Sequence, residues 1–176
     1  MFKQARRLLY FSVLVLSALC VLVAEKPAQN RGAAALHIRP EHKRAVELWL
    51  TESPNLRVAT IADCLNKGGL AATRKQFGRN YHPYYIVGDF NGDRKQDFAI
   101  ALIRDNKRET PFAIAIFNGP LGKNSVPAYF SEEWDLSDGG LFVGGGGILA
   151  GPFESDNCVL LRPRGRKYVA EDCLEG

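Results

Sequence analysis

FAIALIRDNKRETPFAIAIFN, residues 98–118, holds two apolar runs, FAIALIR and FAIAIFN, separated by the polar stretch DNKRET. A strand with one wet face alternates apolar and polar side chains, whereas these runs are apolar on both faces. That suits central strands of a sheet covered on one side by a helix. The connector has hairpin length, so the two strands are expected to lie antiparallel.

Working toward the N-terminus, Tyr84–Val87 reads as a further strand. Leu56, Val58 and Thr60 alternate with Arg57, Ala59 and Ile61, predicting a strand that ends near Asp63. Residues 67–69 (Lys-Gly-Gly) read as a turn, and residues 70–80 suit either a short helix or a loop. A helix is expected from Pro40, whose missing amide hydrogen costs nothing at a first helical position. Val46, Trp49 and Leu50 share one of its faces, and Ser53-Pro54-Asn55 ends it.

Toward the C-terminus, Ala128–Phe130 suits a short strand. LFVGGGGILAGPF, residues 141–153, is apolar at both ends with four glycines at its centre, implying a bulge, a bend or close backbone approach. VLLRPRGRKYVAED reads as a hairpin turning at Pro163-Arg164-Gly165-Arg166. A doubly wound parallel sheet would need crossover helices, and the connectors are too short for them. The fold class expected is α+β, an N-terminal helix packed on a mainly antiparallel sheet with a disulfide-closed C-terminal hairpin, in a single domain over residues 39–176.

Lys3, Arg6 and Arg7 precede an uncharged, apolar stretch, residues 8–24, which predicts an export signal over residues 1–24 or, if uncleaved, a membrane anchor. Cuts after Ala24 and after Cys20 both remain open. Residues 25–38 read as a linker. The expected location is therefore periplasmic or extracellular, with membrane contact only through an uncleaved segment. Removing the signal takes three basic residues from a formal +4 and leaves about +1, which writes in no attraction to nucleic acid.

Three cysteines then remain in an oxidising compartment. Cys158 and Cys173 flank the last hairpin and are the first choice for a disulfide, which would contribute on the order of 3 kcal/mol in the chain-entropy model. Pairing of Cys64 with either is the rival.

Between the strands ending at Val87 and beginning at Phe98 lies GDFNGDRKQD, residues 88–97. Asp89, Asn91, Asp93 and Asp97 carry side-chain oxygens at loop positions one, three, five and nine, and the Lys95 carbonyl falls at seven. A hard cation such as Ca²⁺ takes six to eight oxygens, and a tight loop supplies them when alternate residues point inward. VGDFNGDRKQDFAIAL resembles the calcium loop of FG-GAP or VCBS-type repeats, D-x-N-x-D-G-x-x-D followed by an apolar strand. The resemblance implies Ca²⁺ as cofactor and a loop joining two strands. One copy is too little for the β-propeller that whole repeats build. The sequence departs at position six, where Arg94 stands for the family's glycine. A left-handed backbone is expected there, and Arg94 with Lys95 should weaken cation affinity. The competing expectation is a plain Asn91-Gly92 hairpin turn with the aspartates bonded to local amides.

Other features carry less. Gly145, Gly147 and Ala150 fit a dinucleotide spacing, but Gly151-Pro152 forbids the helix that would hold a pyrophosphate. His37 and His42 lack zinc-ligand spacing. Tyr81, His82, Tyr84 and Tyr85 suit either sugar stacking or a filled sheet face. Arg162, Arg164, Arg166 and Lys167 make the last hairpin tip basic. Two functions follow as expectations. One is a non-enzymatic exported module whose loop is fixed by Ca²⁺ and which binds a protein or glycan partner. The alternative is an exported hydrolase using Cys64, with His82 as base, or the acidic segment 132–138.

Overall fold

The computed structural model describes residues 37–106 and 111–173; the expected export signal, most of the expected linker and part of the 105–110 connector lie outside them. Among the described residues the chain runs α1 (Pro40–Leu50), β1 (Leu56–Val58), α2 (Lys67–Phe77), β2 (Tyr85–Gly88), β3 (Asp97–Arg104), β4 (Phe112–Phe117), β5 (Tyr129–Trp134), β6 (Gly139–Gly144), β7 (Gly147–Pro152), β8 (Val159–Arg164) and β9 (Lys167–Asp172). The strands form two antiparallel sheets rather than one. The first has the order β1-β3-β4-β5, with β2 also beside β3; the second is the meander β6-β7-β8-β9.

The apolar runs of β3 and β4 explain this layering. Phe98, Ile100, Leu102, Ala113, Ala115 and Phe117 face α1 and pack with Ala45, Val46 and Ile38. On the opposite face Ala99, Ala101, Ile103, Ile114 and Ile116 pack against Leu141, Ile148, Ala150 and Leu161 of the second sheet. The first sheet is therefore a middle layer, and both faces of its central strands need apolar side chains. The expected helix covers one face as anticipated. The second sheet is the part that single-strand patterning does not announce.

Local chemistry sets the remaining differences from expectation. β1 stops at Val58 because Asp63 turns back to accept the Thr60 amide at 2.7 Å, and its carboxylate pairs with Arg57 at 2.6 Å. The Lys67-Gly68-Gly69 stretch opens α2 instead of forming a turn, with Asn66 capping the Gly69 amide at 2.7 Å. Gly69 belongs there for close packing, since a Cβ would sit 2.9 Å from Cβ of Phe153. Residues 144–147 make a tight hairpin corner. Gly145 and Gly146 have φ of 59° and 74°, the pair of positive values that a two-residue turn needs to match strand twist. Glu132, the first residue of the acidic segment 132–138, lies in β5 and pairs with Arg104.

The final hairpin turns at Gly165-Arg166, the second half of the expected four-residue stretch, leaving Pro163 and Arg164 in β8. Pro163 lies beyond Leu161, the last β8 residue paired with β7, so its missing amide breaks no ladder bond there. Cys158 and Cys173 stand at disulfide distance with Cα atoms 5.4 Å apart, while Cys64 is buried and unbridged.

Candidate metal loop

Residues 89–97 connect β2 to β3, which pair from Gly88↔Asp97 onward. The loop's side chains fold inward on its own backbone. Asp89 accepts the Gly92 amide at 2.8 Å through Oδ1 and the Arg94 amide at 2.9 Å through Oδ2. Asn91 Oδ1 accepts the Asp93 amide at 2.9 Å, and Asp93 Oδ1 accepts that of Lys95, also at 2.9 Å. Successive alternate residues thus each curl over the amide two or more positions ahead, an arrangement that Asn and Asp side chains favour in turns. Every oxygen so used keeps a second lone pair, and Asp93 Oδ2 accepts none of these amides. Arg94 has φ 64°, the left-handed backbone expected at position six. Phe90 turns inward and anchors the loop in the core between the sheets.

Asp97 differs from the other three. It is wholly buried and accepts two backbone amides, Phe90 at 3.0 Å and Gly119 at 2.8 Å. Burial pushes its carboxyl above the usual range, the Gly119 and Phe90 amides pull it down, and neighbouring Asp93 pushes it up again. The Tyr168 phenol is raised first by burial and then by the negative field of Asp97, Asp93 and Asp89 together, so the three carboxylates act on one point of the second sheet. Its hydroxyl donates to Asn118 Oδ1 at 3.0 Å.

The donor set is all oxygen and suits a hard cation. Among the described residues no three His, Cys, Asp or Glu side chains come together as a metal group. A cation at this loop would therefore need Asn91 and the Lys95 carbonyl alongside the carboxylates, the mixed set that the spacing provides.

Other sequence candidates are placed elsewhere. Cys64 is fully buried, donating weakly to the Asn66 carbonyl at 3.5 Å and lying beside the Tyr84 hydroxyl. His82 stacks on His37 with ring centroids 3.3 Å apart and accepts the Tyr84 amide at 3.4 Å. Tyr84 is wholly enclosed and Tyr85 bonds His42 at 2.8 Å, so this aromatic run fills interior space. Arg162 and Arg164 of the basic hairpin both pair with Glu171. Asn118, Gly119 and Tyr168 had no signal in the sequence, because only tertiary folding brings them to the loop. No family model, curated protein or solved structure matches the chain. No helix of the described residues is long and apolar enough to cross a membrane.

Proposed function

We propose that this chain is an exported, non-enzymatic module in which Ca²⁺ fixes the 89–97 loop between β2 and β3 and so presents a rigid surface to a protein or glycan partner. The observation that carries it is the inward fold of Asp89, Asn91 and Asp93 on alternate amides around a left-handed Arg94. Local amide bonds of this kind also suit a plain turn, but Gly88 pairs with Asp97, so the connection is far longer than the two residues such a turn needs. Arg94 and Lys95 oppose a cation, so affinity belongs at the weak end typical of extracellular sites, a Kd of about 0.1–1 mM.

Calorimetric titration of Ca²⁺ should give saturable heat and a rise in Tm at millimolar ion, by the linkage of binding to folding. Asp93→Ala should abolish both. A native chain that gives neither heat nor a Tm gain sinks the proposal. The hydrolase alternative is weakened by full burial of the Cys64 thiol, because an attacking thiolate needs access to substrate.

A further inference from the structure

The loop is tied to more than its own sheet. Asp97 closes it and begins β3; through Oδ1 it holds the amide of Gly119, just beyond the end of β4. Asn118, the preceding residue, reaches the last hairpin twice. Its Oδ1 accepts the Tyr168 hydroxyl at 3.0 Å, and its Nδ2 donates to the Arg166 carbonyl at 3.3 Å. Tyr168 is on β9 with its ring in the core between the sheets, and Arg166 is in the β8–β9 turn. Gln96, beside Asp97, accepts from Arg39 at the start of α1. One corner of the loop thus touches the helix, the first sheet and the second.

We infer that a cation in the loop is felt by the disulfide-closed β8–β9 hairpin, through Asp97, the Asn118-Gly119 corner and the pair Tyr168 and Arg166, and that it tightens docking of the hairpin on the first sheet. The inference rests on the calcium reading of the loop. Its physical basis is charge. Asp97 is a buried carboxylate with Asp93 near it, held by backbone amides, and like charges oppose one another. A divalent ion compensates that charge, which strengthens the hold of Asp97 on Gly119 and fixes the corner where Tyr168 bonds. Coupling of this kind is reciprocal: loosening the hairpin contact must weaken cation binding by the same factor that the cation tightens the hairpin.

Hydrogen exchange of the full chain with and without saturating Ca²⁺, alongside calorimetry, tests this. Amides of β8–β9 are expected to exchange at least about 5-fold more slowly with Ca²⁺, the lower end of common coupling factors, while those of α2 do not change. In Asn118→Ala the loop should still bind Ca²⁺, but less tightly, and the hairpin should lose its response. Tyr168→Phe, which removes one hydroxyl from a retained ring, should show the same in smaller degree and stands in if the first variant does not fold. Calcium heat in the wild type with no change in hairpin exchange overturns the inference alone, as does an unaltered response in the variants. Absence of calcium heat overturns the calcium reading, and this inference falls with it.

Discussion

Arg94 sits at φ 64° in the loop between β2 and β3, where any residue with a Cβ crowds the following carbonyl. Arg94→Gly should therefore raise stability by about 1 kcal/mol even without metal. It also removes one of two cations facing the proposed ion, so Ca²⁺ should bind more tightly. Urea unfolding with and without Ca²⁺ separates the two effects; a less stable variant in metal-free buffer would contradict the conformational argument. Asp97 shows the limit of residue-level inference. Spacing places it at position nine, but its burial and its bond to Gly119, 22 residues away, are products of the fold.

At the scale of elements, the hairpins differ in what closes them. The β6–β7 corner relies on Gly145 and Gly146, and the β8–β9 corner combines Gly165 at φ 65° with a covalent link at the open end. Replacing Cys158 and Cys173 by alanine should cost on the order of 3 kcal/mol, read as a lower urea midpoint. No change would mean that β8–β9 is held in the unfolded chain by other means. The cysteine pairing was legible because a hairpin returns its ends to one place. The glycine corner was legible only as an irregularity, since four glycines in a row leave the turn position undetermined and carry no side chains to fix register. α2 was obscured by Gly68 and Gly69, poor helix formers, of which Gly69 is needed because Phe153 packs against the helix start.

At the scale of the whole molecule, histidines tie the segment around the start of α1 to the β2 region: His37 stacks on His82, and His42 bonds Tyr85. His42 is buried, stacked on Phe98, and held below its ordinary pKa by burial, with Glu41 partly offsetting this and Arg39 adding to it. His82 is lowered to about 3 by burial first, then by His37 and Arg74. In the unfolded chain a histidine takes up its proton near pH 6.5, so between there and about 3 the unfolded state binds more protons. Stability is thus complete above about pH 6.5 and should fall steadily as the solution is acidified toward 3. Tm measured from pH 7 to pH 4 should drop, and His82→Gln should flatten part of that slope. A constant Tm across this range would show that these imidazoles are not held neutral by the fold.

By itself the sequence determined the first helix, the two doubly apolar strands, the acidic loop with its left-handed sixth residue and the flanking cysteines of the last hairpin. Each is written in local periodicity, turn chemistry or spacing, which act over a few residues. Only the tertiary structure decided that a second sheet covers the other face of β3 and β4, that Glu132 meets Arg104, and that Asn118 and Tyr168 close on the loop. Those contacts join residues far apart in the chain, and what selects them is the burial of complementary surfaces rather than any pattern a single segment carries.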